Sequence, residues 1–272
     1  LAVDSGTAGD GITNRGSLSI GGAGFQWTPA ELGASLAVWL DGNDASTITL
    51  NGSSVSQWRD KSGNGVNVGL WADRPTYNSA GLNGKPALSF DGNDGLRNTG
   101  FTFDHTAASI FVVGNMGAVN NYEMFATLNS GANVTLFMRR NGTGDVISIG
   151  AGSTALVGAP YTNNTNAIFS GQYTANGTAT VFANGVQGTS SNLVGNRPGV
   201  TTDSRLYIGG PSNALVGSIS EIIILSSSID SANRQNIEGY LASKWGLQGN
   251  LATTHPYKTT DAASIQYSTN GG

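Results

Sequence analysis

Asn-Gly dipeptides recur along this chain, and the five that mark turns between strand-like runs limit its possible folds more than any other feature. They lie at residues 51–52, 83–84, 141–142, 176–177 and 184–185. Asn-Gly tolerates positive φ at both central positions of a tight turn, which makes it a strong signal for a β-hairpin. A chain with this many hairpin signals is expected to fold as an antiparallel β-protein.

Eleven strand-like runs accompany these turns. They are rich in β-branched and aromatic residues, which favour strands over helices. They cover residues 35–40, 55–58, 87–90, 109–113, 123–128, 134–139, 145–149, 167–173, 178–183, 205–208 and 218–225. Regular strands that are separated by turns, with no helices between them, predict a β-sandwich or a barrel.

One segment near the C-terminal end has a helical pattern instead. Its apolar residues at helical spacing are Ile237, Tyr240, Leu241 and Trp245. Asp230 is placed to cap the N-terminus of such a helix, and Gly246 is placed to end it. The pattern predicts one amphipathic helix, and we expect its apolar side to pack on the sandwich.

Composition agrees with many short strands and excludes several classes of function. The 272-residue chain contains 40 Gly, no Cys and only 11% charged residues, and its formal net charge is -4. Its Lys and Arg residues are scattered, whereas nucleic-acid binding needs a concentrated basic face. No apolar run approaches the ~18 residues of a membrane span, so membrane insertion is not expected.

Seven blocks in the middle of the chain resemble the laminin G-like, or concanavalin A-like, jelly-roll family of bacterial and phage surface proteins. They lie at residues 36–41, 44–48, 55–65, 83–86, 90–94, 237–247 and 255–257. One block alone is a weak signal, but all seven in this order are a strong one. The resemblance implies an all-β, concanavalin A-like jelly-roll sandwich with one C-terminal helix over residues 26–258, and a lectin-type function.

The two ends of the chain resemble a different family. Residues 4–13 are similar to the start of the bacterial Ig-like repeats of giant adhesins, and residues 265–272 are similar to a later strand of those repeats. The resemblance implies a small split Ig-like domain, built from residues 1–25 and 259–272, into which the lectin domain is inserted. Ligand-binding regions of RTX adhesins have this arrangement. Neighbouring adhesin domains are then expected partners of a module that is itself a monomer.

Calcium is the expected cofactor, because Ca²⁺ is bound by six to eight oxygen ligands and short Asp/Asn/Gly loops supply them. The candidate metal ligands are Asp4, Asp10, Asp41, Asp44, Asp91 and Asp94. Asp4 and Asp10 are the firmest, because their loop resembles the calcium motif of the adhesin repeats. For the other loops, including residues 60–64, the alternative is that Asp and Asn only close tight turns by binding nearby backbone N–H groups.

Sugar binding combines planar polar groups with aromatic rings, and several loops and strand ends offer both. The candidate ligand-binding residues are Asp60, Asn64, Trp71, Arg74, Tyr122, Arg139, Arg140 and Arg197. For each of them an ordinary surface or packing role remains the alternative. Trp39, Trp58 and Trp245 belong to the jelly-roll blocks and are expected in the core. The implied partners are cell-surface glycans, of the fucosylated or glucose type.

Catalysis finds little support in the sequence. The chain has two His and four Glu, and it lacks the Gly-x-Ser-x-Gly elbow that presents a nucleophilic serine. Glycosidases need a pair of carboxylates on either side of the scissile bond, and Glu221 has no carboxylate partner next to it in sequence. No catalytic residue is therefore assigned, and the chain is expected not to be an enzyme.

The leading hypothesis is a carbohydrate-binding module of a large secreted bacterial adhesin, which mediates calcium-dependent attachment at the cell surface. One alternative is a structural spacer that only extends an adhesin fibre. Another is a receptor-binding domain on a phage surface, with the same lectin chemistry. A carbohydrate-degrading enzyme, with Glu221 or Asp91 as its essential carboxylate, is the third.

Overall fold

The computed structural model describes residues 27–117, 123–131, 133–140, 146–151, 154–192, 197–210 and 215–258. These residues form an antiparallel β-sandwich with one α-helix near its C-terminal end. The predicted fold class, an all-β jelly-roll-type sandwich with a C-terminal helix, is confirmed. The predicted split Ig-like domain of residues 1–25 and 259–272 lies outside the described residues.

Seventeen strands build the sandwich in the described ranges. They are β1 Leu36–Asp41, β2 Ile48–Asn51, β3 Ser54–Trp58, β4 Val68–Leu70, β5 Thr76–Leu82, β6 Lys85–Asp91, β7 Leu96–Asp104, β8 Ala108–Met116, β9 Met124–Ser130, β10 Asn133–Arg140, β11 Val146–Ala151, β12 Thr154–Pro160, β13 Ala167–Tyr173, β14 Thr178–Ala183, β15 Val186–Asn192, β16 Val200–Ile208 and β17 Val216–Leu225. The helix α1 is Ser231–Trp245, and short 3₁₀ turns occupy Pro29–Ser35, Ala45–Thr47 and Gln248–Asn250.

The strand pairings form one continuous network that folds into two layers. In layer A, one edge of β17 pairs with β1 along its second half and with β6 along its first half. The other edge of β17 pairs with β8, and β13, β14 and β15 follow in that order. Layer B runs in the order β2–β3–β4–β7–β16–β9–β10–β11–β12. β5 pairs with β6 and touches β3 at Ser54 and Thr76, so it joins the layers.

Both faces of layer A are buried at β17, which explains the continuous apolar run of this strand. Ile222 and Ile224 point into the core between the layers, whereas Ile223 and Leu225 point to the opposite face. On that opposite face they pack with residues of the helix. A strand covered on both sides reads as uninterrupted hydrophobic sequence rather than as an alternating one.

The helix forms where the sequence predicted it. The Asp230 side chain accepts a hydrogen bond from the Asn233 backbone N–H at 2.8 Å, and Gly246 ends the helix in a left-handed conformation with φ of 69°. Ile237, Leu241 and Trp245 are fully buried against layer A. The helix therefore covers the outer face of layer A and leaves the outer face of layer B without it.

Two of the Asn-Gly turns have positive φ at both residues. The φ angles are 50° and 75° at residues 83–84, which join β5 to β6, and 51° and 76° at residues 184–185, which join β14 to β15. At residues 51–52 and 176–177 only the glycine has positive φ, and residues 141–142 lie outside the described ranges. No helix of the described chain is long and apolar enough to cross a membrane.

Candidate functional site

The outer face of layer B carries a row of side chains that runs across five strands. Arg97 of β7 pairs with Tyr207 of β16, which pairs with Thr127 of β9, then Phe137 of β10 and Gly150 of β11. Directly paired residues of antiparallel strands point to the same side of a sheet. We call this side the layer-B face. Its exposed or partly exposed side chains are Trp71, Arg97, Asn129, Arg139 and Arg205, and its buried ones are Thr127, Phe137, Ser148 and Tyr207.

Two aromatic rings meet at one end of this face. The rings of Trp71 and Tyr207 lie edge to face, with their centroids 5.5 Å apart. Trp71 follows directly after β4, and a Cβ atom at Gly95 would lie 3.1 Å from its ring, so the glycine leaves the ring room to lie against the strand. Trp71 remains partly exposed. Such a ring offers an apolar face to which a sugar ring can bind.

Three arginines flank the aromatic pair. Arg97 is exposed, and Arg139 is partly buried with its guanidinium 4.3 Å from the centroid of the Phe137 ring. Arg205, which is partly exposed, forms an ion pair with the exposed Asp203 at 3.3 Å. Exposed pairs of this kind contribute little to stability, so Arg205 is held only weakly in this position.

Two buried oxygens on the same face accept no hydrogen bond from the described residues. They are the amide Oδ1 of Asn129 and the hydroxyl Oγ of Ser148. Asn129 lies two residues from Thr127 on β9, and Ser148 pairs with Arg139. An unpaired buried polar group costs about 1–3 kcal/mol, so these two oxygens are unusual features of this face.

Among the predicted ligand-binding residues, the structure brings Trp71 and Arg139 together on the layer-B face. Asp60 has another role, because its carboxylate accepts hydrogen bonds from the backbone N–H groups of Trp39, Ser62 and Val66. It therefore organises the loop after β3 around itself.

Asn64 occupies a second place, at the rim of two adjoining clefts of about 270 Å³ and 490 Å³. Its Nδ2 group donates to the carbonyl oxygens of Leu36 and Ala37, at 2.8 Å and 3.1 Å. The two clefts also share Thr102. They contain none of the three face arginines and neither ring of the Trp71–Tyr207 pair, so they combine fewer of the groups that bind sugars.

The remaining candidates lie apart from this face or outside the described chain. Arg197 lies 5.2 Å from the centroid of the Tyr173 ring and donates to the Thr174 carbonyl oxygen at 2.8 Å. Arg140 is buried and alternates with Arg139, so it points to the other side of β10. Arg74 is partly buried in the connection between β4 and β5. Tyr122 lies outside the described ranges.

The Asp-rich loops close turns through their own side chains. Asp41, Asp44, Asp60 and Asp91 each accept a hydrogen bond from the backbone N–H two residues later, at 2.9–3.1 Å. This is the turn role that the sequence left open as an alternative. In addition, Lys61 Nζ lies 2.9 Å from Asp41 and 2.8 Å from Asp44, and it lowers the pKa of Asp44 to about 2.

The other predicted metal ligands form a small acidic turn. The backbone N–H of Asp91 donates to Asp94 Oδ2 at 2.9 Å. Burial raises the pKa of Asp94, and the nearby charges of Asp91 and Asp73 raise it further. Within the described residues, no group of three or more His, Cys, Asp or Glu side chains is arranged to hold a metal ion. Asp4 and Asp10 lie outside those residues, so the calcium site stays a prediction.

Glu221 is enclosed between layer A and the helix, where no substrate can reach it. Its carboxylate accepts hydrogen bonds from Trp39 Nε1 at 2.7 Å, Trp245 Nε1 at 2.6 Å and the Tyr240 hydroxyl at 3.0 Å. Lys244 Nζ lies 2.9 Å away and also contacts Asp41 at 2.6 Å. Burial raises the pKa of Glu221, and the Lys244 ammonium opposes that rise. This carboxylate attaches the helix to the sheet.

Sequence analysis did not indicate Arg97, Asn129, Arg205 or Tyr207 as site residues. The segment 205–208 was predicted as a strand, and its alternation places Arg205 and Tyr207 on the side opposite Leu206 and Ile208. That alternation was the available signal. Arg97 on β7 and Asn129 on β9 become neighbours of Tyr207 and Arg205 through the pairing register of the strands. That register cannot be predicted from a single sequence.

Comparisons with solved structures support the fold. The chain is similar to the binding domain of botulinum neurotoxin serotype G, with a TM-score of 0.55 and 14% identity over 78% of this chain and 54% of that chain. The binding domain of serotype D gives a TM-score of 0.53 at 12% identity, covering 78% and 51%. Trypanosoma rangeli sialidase gives 0.52 at 13% identity, covering 78% and 33%.

These similarities are limited to the architecture. The chain spans about half the length of the neurotoxin domains and a third of the sialidase. No protein-family model matches the chain, and no curated protein sequence is significantly similar to it. The class that the fold defines is an all-β sandwich shared by receptor-binding domains and by an enzyme, and fold alone does not assign a function.

Proposed function

We propose that this protein is a carbohydrate-binding module and that the layer-B face binds the sugar. The observation that carries the proposal is the Trp71–Tyr207 ring pair, which lies on one face with Arg97 and with the unpaired amide oxygen of Asn129. Sugars bind where an apolar ring face is combined with planar polar groups that fix their hydroxyls. Similarity in fold to the receptor-binding domain of botulinum neurotoxin type G supports the same proposal.

The biological setting is part of the same proposal. We infer that the module belongs to a large secreted bacterial adhesin and mediates attachment to cell-surface glycans. Its support is the resemblance of residues 4–13 and 265–272 to adhesin Ig-like repeats. Calcium belongs to this setting and is assigned to Asp4 and Asp10, since Asp41 and Asp44 are already paired with Lys61.

A glycan array with the purified chain tests the proposal, run with calcium and with EDTA. We expect selective binding to one group of related glycans. Trp71→Ala should reduce the affinity for them about tenfold or more, because it removes the accessible ring. Trp27→Ala is the matched control, because Trp27 is also partly buried but lies against Tyr240 beside the helix.

The outcomes separate the alternatives. Correctly folded protein that binds no glycan would contradict the proposal and favour a structural spacer. Binding that persists in Trp71→Ala but is lost in Trp27→Ala would show that the sugar binds elsewhere than on the layer-B face. For the calcium assignment, EDTA should lower the melting temperature of the wild-type chain but not that of Asp4→Asn/Asp10→Asn. An equal effect of EDTA on both chains would contradict the assignment.

A further inference from the structure

Arginine is unevenly distributed between the two layers. Four of the nine arginines in the chain lie in strands of layer B, and no strand of layer A contains one. Arg97, Arg139 and Arg205 point to the layer-B face, where Asp203 is the partner of Arg205. The whole chain has a net charge of -4. The three arginines outnumber Asp203 on this face and give it a local excess of positive charge, which favours anionic ligands there.

Arg97 is the most available of these three cations. It is exposed and makes no side-chain hydrogen bond or ion pair with the described residues. Gly69 pairs with it on one side and Tyr207 on the other. Gly69 has no side chain, so Arg97 has free space on one side and the aromatic ring pair on the other.

We propose that the layer-B face selects glycans that carry a carboxylate, such as uronic or sialic acids, over their neutral counterparts. The inference rests on the proposed carbohydrate-binding function and names the ligand class of the same face. A guanidinium presents parallel N–H donors that match the two oxygens of a carboxylate. The carboxylate would bind Arg97 while the sugar ring contacts Trp71, whose ring packs on the buried Tyr207.

The spacing of the arginines indicates an oligosaccharide rather than a single sugar. Arg97 lies on β7 and Arg139 on β10, three strand spacings apart in layer B. Adjacent strands are separated by about 4.8 Å, so the two positions are roughly 14 Å apart across the sheet. A ligand that reaches both must extend over more than one sugar ring. Acidic polysaccharides and sialylated chains both meet this requirement.

Matched acidic and neutral glycans test the inference by calorimetry. The pairs are 3′-sialyllactose with lactose, and an oligogalacturonate with its carboxyl-reduced neutral form. We expect at least one acidic member to bind about tenfold tighter than its neutral partner, because a charge-assisted hydrogen bond is added. Added salt should reduce that difference. Arg97→Gln should remove most of it.

Arg59→Gln is the control for the loss of one positive charge, because Arg59 contacts the Ser46 carbonyl oxygen beyond the end of β3. This variant should keep the acidic preference. Equal binding of acidic and neutral partners, or an unchanged preference in Arg97→Gln, would overturn the inference while carbohydrate binding stands. Binding only to neutral fucose- or glucose-type glycans would overturn it in the same way. No binding to any glycan would overturn the proposed function as well.

Discussion

Two buried carboxylates attach the helix and the segment after it to layer A. Glu221 joins Trp39 of β1 to Trp245 of the helix. Glu238, on the helix itself, accepts a hydrogen bond from Ser170 of β13 and contacts His255 Nε2 at 3.0 Å. A buried carboxylate is stable only when its oxygens are paired with donors, and both of these are.

Removing the charge of Glu221 should therefore destabilise the fold. In Glu221→Gln one acceptor oxygen becomes an NH2 donor, so one of the two indole N–H groups loses its acceptor and Lys244 loses one of its counter-charges. We expect the free energy of unfolding to fall by about 3 kcal/mol, the size measured when a buried ion pair loses one partner. Urea denaturation measures it. Asp203→Asn, at an exposed ion pair, should change it by less than about 1 kcal/mol. Equal effects of the two substitutions would contradict the role given to Glu221.

His105 should make the protein sensitive to mild acid. Its side chain is buried and contacts Ser204 Oγ at 2.9 Å, and burial lowers its pKa from 6.5 to about 4. Because the folded pKa is the lower one, the neutral ring stabilises the fold above pH 6.5, and this contribution is lost as the pH falls toward 4. The full loss is about 3 kcal/mol. Stability measured from pH 7 to 4 should fall less steeply in His105→Gln; identical slopes would contradict this.

At the residue scale, the sequence predicts local contacts better than distant ones. The turn role of Asp41 and Asp91 and the cap at Asp230 depend on neighbours two or three residues away. The role of Glu221 depends on Trp39, which is 182 positions distant. No local pattern contains that information, so a carboxylate that the sequence left as an enzyme candidate is a packing residue in the structure.

At the element scale, β12 and β15 bring the free edges of the two layers together. The backbone N–H of Gly158 on β12 donates to Thr189 Oγ1 on β15 at 2.9 Å. A Cβ atom at Gly188 would lie only 2.0 Å from the Gly158 carbonyl oxygen. The close approach of the layers at this edge therefore requires glycine at position 188.

Gly188→Ala should force this edge open. We expect a loss of about 1–3 kcal/mol in the free energy of unfolding, which is typical of overpacking. Gly249→Ala is the control, because a Cβ atom there meets nothing within 4 Å; its effect should stay within about 0.5 kcal/mol. Thermal unfolding of both variants measures the difference. An unchanged melting temperature for Gly188→Ala would show that the layers do not depend on this contact.

The eleven predicted strands all exist, whereas six strands of the described chain were not predicted. They are β2, β4, β5, β7, β12 and β15. β15 reads Val-Gln-Gly-Thr-Ser-Ser-Asn and is almost wholly exposed, and β5 is similarly polar. Strands with little buried surface lack the alternation of apolar and polar residues on which sequence prediction depends. Their strand conformation comes from pairing with a neighbour.

At the scale of the whole molecule, the two layers have different surroundings. The helix covers the outer face of layer A, whereas layer B presents its outer face with the rings and arginines of the proposed site. The sandwich and its helix could be predicted from the sequence. The layer-B face could not, because the register of β7, β16, β9 and β10 assembles it from residues between 97 and 207.

The five tryptophans allow the central claim to be tested directly. Trp39, Trp58 and Trp245 are buried, Trp27 lies beside the helix, and Trp71 lies on the layer-B face. A glycan identified on the array is titrated into the ¹⁵N-labelled chain, and the five indole N–H signals are followed by NMR. We predict that the Trp71 signal shifts with the ligand while the other four stay in place. Saturable binding that shifts Trp27 and leaves Trp71 unmoved would contradict the assignment of the site.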